Sequence, residues 1–269
     1  MSEIDLRQLA GERFEQELEA AWQAKDFAKA LALSVELLTL REEAFGANHA
    51  SVVNILCDLA ELHRRVGSAA QGEHLLTRAL AAEETRGPSE RLGRVAFQLA
   101  QALLERGASA LALPLLHSAA EMAGIAERAV AYGSLATVLR SLGHTAEARL
   151  ASDHALVACD PKKTAPIDAA QAHNLAGELC EEAGELEHAR SLYLAAHDLF
   201  VLGLGDKHPQ VGIALLNVIT VDHVRGKDVR QGAREVMAIM HGALGQQHQQ
   251  ALQVQRALEA MLGLPIVQW

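Results

Sequence analysis

Thirteen histidines and three cysteines are the residues of this 269-residue chain with the widest chemical range, and their spacing decides what they could do. A histidine beside a carboxylate could move protons, a thiol beside a histidine could attack a carbonyl, and three or four such groups meeting at one point could hold zinc. None of the usual spacings is present: there is no H-E-x-x-H pair, no C-x-x-C, no glycine-rich phosphate loop and no G-x-S-x-G elbow. Glu61 and His63, two residues apart, point away from each other on a helix. His154 and Cys159, five apart, lie about 140° from each other around a helix axis. Cys57 and Cys180 fall on an apolar seam, where a thiol is usually a small buried hydrophobe. His49 and His208 stand alone in their loops, beside a helix start whose free N–H groups they could cap. The expectation is a chain with no catalytic residues, no metal and no cofactor, and not an enzyme.

The elements that would carry these residues follow from composition. Half of the residues are hydrophobic, weighted to Ala and Leu, and only 3% are aromatic. Ala and Leu favour helices, and the β-branched and aromatic residues of strands are scarce, so the class is all-α. A net charge of −10, with no basic run longer than a pair such as Arg64-Arg65, excludes nucleic acid and an anionic membrane as main partners. No apolar run is long enough to span a bilayer, the first residues are acidic where a signal peptide would be basic, and the three cysteines lie far apart. These features predict a cytoplasmic protein, and the excess of arginine over lysine points to a GC-rich bacterial genome.

Six segments align on a turn: KDFAKALALSVELL from Lys25, GSAAQGEHLLTRAL from Gly67, GASALALPLLHSAA from Gly107, GHTAEARLASDHAL from Gly143, GELEHARSLYLAAH from Gly184 and GKDVRQGAREVMAI from Gly226. Their starts are 42, 40, 36, 41 and 42 residues apart, which is a repeat array. The fifth residue after the turn is small in five copies (Ala30, Gly72, Ala112, Ala148, Ala189), so two helices can approach closely there. In the sixth copy Gln231 takes that place beside Gly232, so that copy is slipped by one residue or degenerate. Ahead of each turn runs a seam of Leu59/Ala60, Leu99/Ala100, Leu135/Ala136, Leu175/Ala176 and Val218/Ile219, with the fifth copy's register open.

The seam, the glycine turn and the small residue resemble the tetratricopeptide repeat (TPR). The loops Phe45-Gly46-Ala47-Asn48-His49-Ala50-Ser51-Val52, Leu204-Gly205-Asp206-Lys207-His208-Pro209-Gln210-Val211 and Leu244-Gly245-Gln246-Gln247-His248-Gln249-Gln250-Ala251 are similar to those of the long repeats of the kinesin light chain type. The resemblance implies an all-α, right-handed superhelical solenoid of about six helix-turn-helix repeats with a C-terminal capping helix. The repeats are expected at about 5–46, 47–87, 88–124, 125–163, 164–205 and 206–245, the cap at 249–262, one domain over 1–262, and an apolar tail at 263–269. Gly46 and Gly205 are expected in a left-handed conformation closing a helix, and Pro209 at the first position of the next.

Such arrays bind peptides or helices on the faces of their first helices. Extrapolation from the seam places Glu12, Glu15, Gln16 and Glu19 there in the first copy, and Asn54, Asp58, Glu61 and Arg65 in the second. Arg94, Gln98 and Gln101 follow in the third, Ser134, Thr137 and Arg140 in the fourth, Asn174, Glu178 and Glu181 in the fifth, and Asn217, Thr220 and His223 in the sixth. The repeats that clamp chaperone C-termini resemble one another in Lys and Asn at positions held here by Glu15, Glu19, Cys57 and Glu61, so that role is not expected. An acidic opening suits a partner protein segment with Lys or Arg. The leading function is a non-catalytic interaction scaffold or adaptor; the alternatives are a peptide-responsive regulator whose solenoid changes conformation and an enzyme with an unfamiliar site. The tail Leu264-Pro265-Ile266-Val267-Gln268-Trp269 either packs on its own cap or docks into a second copy as a homodimer.

Overall fold

The computed structural model of the chain describes residues 14–263 and residue 265, without the side chains of residues 125 and 126. Every regular element among the described residues is a helix: α1 (residues 14–23), α2 (Phe27–Phe45), α3 (Ala50–Arg65), α4 (Ala69–Glu84), α5 (Glu90–Glu105), α6 (Ser109–Met122), α7 (Ile125–Ser141), α8 (Thr145–Ala158), α9 (Pro166–Glu182), α10 (Leu186–Leu204), α11 (Pro209–Val224), α12 (Arg230–Leu244) and α13 (Gln249–Leu262). The helices up to Gly124 form one compact unit and those from Ile125 onward a second. Within each, a helix packs mainly on its neighbours in the chain. Glu12 and the apolar tail, except Gly263 and Pro265, lie outside the described residues.

The turn inside each pair has one geometry, and glycine supplies it. Gly67, Gly107, Gly143, Gly184 and Gly226 have φ between 77° and 83°. The following N–H reaches back to a carbonyl of the last turn, as Ser68 N to His63 O at 2.7 Å and Glu185 N to Cys180 O at 2.8 Å, while the glycine N–H bonds a carbonyl three residues back. Two otherwise orphaned carbonyls are thereby satisfied at each helix end. The first copy makes the same turn with Lys25 at φ 57°, the positive-φ residue other than glycine among those described, and Asp26 N bonds Ala21 O at 2.9 Å.

The longer loops differ from the sequence expectation. Gly46, Gly205 and Gly245 have φ near 85° but ψ of 155–157°, a region open essentially to glycine alone rather than the left-handed helical one. The extended ψ turns the carbonyl to accept the histidine N–H three residues on, at 3.1 Å for His49 and 3.3 Å for His208 and His248. Each histidine caps the next helix, its Nδ1 accepting the N–H of Ser51, Gln210 or Gln250 at 3.2–3.3 Å. That bond places the ring proton on Nε2. Pro166 and Pro209 open α9 and α11, where a missing N–H costs nothing; Pro114 sits within α6.

The small residues Ala30, Gly72, Ala112, Ala148 and Ala189 each stand at the fourth position of their helix and are buried. A Cβ on Gly72 would come 2.9 Å from the Ala60 carbonyl oxygen, which shows how closely the pair approaches. The sixth copy is displaced by two residues, not one: Lys227 and Asp228 lengthen the turn, Val229 is buried in it, and Ala233 takes the small position. In the fifth copy, aligned on Gly184, Gly177 replaces the seam alanine, and Tyr193 of α10 fills the space so opened. The helix α13 buries Ala251, Val254 and Leu258 against α11 and α12, and Gly263 in a left-handed conformation ends it.

Asp222, nearly buried in α11, receives hydrogen bonds from Arg190 Nε and Lys227 Nζ, both at 2.7 Å, with Arg225 Nη1 at 3.4 Å. Burial pushes its carboxyl up, but the bonds from Arg190 and Lys227 outweigh this and hold it below the usual aspartate range. A carboxylate with a depressed folded pKa stabilises the fold above about pH 4, its unfolded value, and ceases to as pH falls through the folded pKa. Asp222→Asn is therefore expected to cost about 2 kcal/mol at pH 7 and much less near pH 2. Urea midpoints at the two pH values check this; an equal cost at both would contradict it.

Candidate functional site

Four of the expected surface residues of the first unit, Glu15, Glu19, Asn54 and Asp58, line one cleft. Its walls are Glu15, Leu18, Glu19 and Trp22 from α1, Leu37 and Arg41 from α2, and Ser51, Asn54, Ile55 and Asp58 from α3. Helical spacing brings the α1 residues to one face, since 15, 18, 19 and 22 follow the three-and-four pattern. Arg41 pairs with Glu15, and Gln23 Nε2 donates to Glu19 Oε1 at 2.9 Å. Asp58 is exposed at the cleft, with no cation bonded to it among the described residues; the groups packed around its carboxyl remove part of its hydration and raise its pKa above the ordinary value. Trp22 was not among the expected surface residues. Its ring meets Phe27 edge-on at 5.9 Å, and the Arg65 guanidinium lies 5.6 Å from Trp22 and 5.4 Å from Phe27. Arg65 also holds Glu61 at 2.7 Å, and the side-chain bond from Arg64 leads the lowering of the Glu61 pKa. Thus Glu61 and Arg65 are already engaged beside the cleft. Arg94 and Gln101 are exposed on α5, and Gln98 is half-buried, its Oε1 without a hydrogen-bond partner among the described residues.

In the second unit four expected residues come together across three helices. Arg140 of α7 pairs with Glu178 of α9, Asn174 Nδ2 donates to Glu178 Oε1 at 2.8 Å, and Asn217 Nδ2 of α11 donates to Asn174 Oδ1 at 2.8 Å. The result is a ladder of side chains one rung per repeat, in which each partner satisfies the next. Thr137 and Thr220 turn back to their own helices, bonding the carbonyls of Gly133 at 2.9 Å and Leu216 at 2.8 Å. Ser134 is half-buried, His223 is exposed, and Glu181 accepts from the Tyr193 hydroxyl at 2.8 Å.

Burial raises the three thiols and makes them poor nucleophiles at neutral pH. Burial, reinforced by the neighbouring Asp58, pushes the Cys57 thiol up to about 12, so it stays protonated at neutral pH. The Cys159 thiol is raised by burial and donates to Ala155 O at 3.3 Å, while His154 lies against the Tyr132 ring at 5.0 Å. They do not form a pair. One grouping was not foreseen: Cys180, Glu185 and His188 have ligand-type atoms within 4.8 Å of one another at the Gly184 turn. The only trace in sequence is C-x4-E-x2-H around a helix-breaking glycine, which matches no familiar ligand spacing.

No family model matches the sequence, and no curated protein matches it. Solved structures do. The PilF protein of Pseudomonas aeruginosa superposes with a TM-score of 0.67 at 18% identity, covering 93% of this chain and 99% of that one. The kinesin light chain TPR-like repeats of Podosopora anserina give 0.58 at 16% identity over 72% and 97%. YrrB, described as a TPR protein with an unusual peptide-binding site, gives 0.50 at 19% identity over 69% and 84%. With paired antiparallel helices, a left-handed turn in each pair and a small residue at each close approach, the chain has the fold of a tetratricopeptide-repeat protein, an all-α repeat solenoid.

Proposed function

We propose that this chain is a non-catalytic cytoplasmic scaffold that binds a peptide or helical segment of a partner protein, and that the segment places a Lys or Arg in the cleft between α1, α2 and α3. Asp58 carries the reading: it stands in the cleft wall, and its partly dehydrated carboxylate, with no cation bonded to it among the described residues, is stabilised when a bound cation supplies one. Glu19 adds negative charge beside it, Glu15 being already paired with Arg41, and Trp22, whose ring meets Arg65, lines the cleft with apolar surface that an aliphatic stem can cover. The fold is shared with YrrB, whose description includes a peptide-binding site. No helix among the described residues is long and apolar enough to cross a membrane. The ladder of Arg140, Glu178, Asn174 and Asn217 is internally satisfied, so a ligand there would have to displace existing bonds. That favours the first unit as the place of contact.

A fluorescein-labelled peptide carrying several Lys and Arg residues tests the proposal by fluorescence anisotropy. Binding is expected to weaken as salt rises and to fall by about tenfold or more in Asp58→Lys, which replaces an attraction by a repulsion. Binding that strengthens with salt, or that is unchanged in Asp58→Lys, would overturn it. Recovery of native partners on the wild-type chain and not on Asp58→Lys then identifies the protein bound.

A further inference from the structure

The geometry points to a divalent metal site of the zinc class at the Gly184 turn, with Cys180, Glu185 and His188 as ligands. The turn itself makes the site. Cys180 sits on the last turn of α9 and its carbonyl accepts the Glu185 N–H at 2.8 Å, which folds the chain back so that Glu185 and then His188, on the first turn of α10, face the thiol. Their ligand atoms lie within 4.8 Å of one another, a separation that small side-chain rotations close around one ion. A thiolate, an imidazole and a carboxylate are the mixed soft and hard donors that zinc accepts, leaving the fourth position to water.

A second observation points to the same place. Cys180 and His188 line a cavity of about 20 Å³ between α8, α9 and α10, with room for one water or one ion. Ser152 of α8, 1% exposed, lines it too, and its hydroxyl has no hydrogen-bond partner among the described residues. A buried hydroxyl without a partner is costly in a closed core and is accounted for by a water on a bound ion. The group now occupying Glu185 is Arg149, which donates from both Nη atoms, one at 2.9 Å. Metal binding would release one carboxylate oxygen, and Asp153, one turn along α8, is placed to take the guanidinium. The thiol exchanges its proton for the ion: Cys–SH and M²⁺ give Cys–S–M⁺, and the proton leaves to solvent.

Cobalt(II) is the probe, because a thiolate ligand gives it a near-ultraviolet charge-transfer band. The expected result is one equivalent of cobalt per chain, with a band that zinc displaces and that is absent in Cys180→Ser. His188→Ala alters an exposed side chain and keeps the fold; it should weaken binding by about tenfold or more. Arg149→Gln should tighten binding severalfold, since it removes the competing cation. Zinc should raise the thermal midpoint of the wild-type chain, and raise that of His188→Ala by less at the same concentration. A chain that gives no thiolate band, or a band that survives Cys180→Ser or is indifferent to His188→Ala, overturns the assignment, because Cys57, Cys159 or surface histidines would then be responsible.

Discussion

Replacing Tyr193 with alanine is expected to cost about 4 kcal/mol, and replacing Gly177 with alanine to cost about 2 kcal/mol, yet Gly177→Ala with Tyr193→Leu is expected to return close to wild type. Tyr193 is 1% exposed, so its removal leaves a cavity that the second unit's core cannot close. A Cβ on Gly177 would lie 2.6 Å from Tyr193 Cε1 and 2.7 Å from Cδ1, closer than any real contact. Alanine gains about 1 kcal/mol of helix propensity over glycine, but a ring that cannot move imposes a larger strain. The double variant recreates the combination that other copies already use, Ala60 with Leu76 and Ala100 with Leu116. It forgoes the bond from Tyr193 to Glu181, about 1 kcal/mol. Urea denaturation of the wild type, Gly177→Ala, Tyr193→Leu and the double variant measures the coupling. Simple additivity of the two single costs would show that the residues do not share one space.

The other large effect concerns charge. Glu83 of α4 is 2% exposed, and its Oε1 lies 3.6 Å from Arg86 and 3.7 Å from Arg91 without a hydrogen bond. A buried carboxylate whose partly exposed arginines stand at that distance recovers little of its lost hydration, yet removing both arginines leaves it an isolated charge. Arg86→Ala with Arg91→Ala is therefore expected to destabilise the first unit by about 3 kcal/mol, while Glu83→Met is expected to be neutral or stabilising. Thermal midpoints decide it. A Glu83→Met chain as damaged as the arginine variant would mean that the pair itself holds the repeats together.

What the sequence discloses and what it withholds divides along the reach of each interaction. The glycine turns, the histidine caps, Pro209 at a helix start and the small residues at each approach are local, because backbone sterics and helix periodicity act within a few residues. The two-residue lengthening of the sixth turn escaped because Lys227 and Asp228 read as ordinary turn residues; only the burial of Val229 fixes where α12 starts. At Gly46, Gly205 and Gly245 the residue type announces a positive φ, but ψ is set by the histidine N–H three residues later. Periodicity placed Asn54 and Asp58 at the cleft with Glu15 and Glu19, whereas the share of Trp22 in it depends on how α1 lies on α3. The pairing of Arg140 with Glu178 spans 38 residues, so no local pattern announces it. The group at Gly184 was hidden for the opposite reason: its members are near in sequence but separated by a chain reversal.

The habit of each helix to pack on its chain neighbours also bears on how the molecule forms. Every pair closes a loop of only a few residues at its glycine turn, so little chain entropy is lost before apolar contact begins to compensate. Low contact order of this kind favours rapid folding that can nucleate at any well-formed pair and spread outward within its unit. Lys25, holding a left-handed turn without glycine's freedom, marks the first pair as a place where nucleation is least favoured.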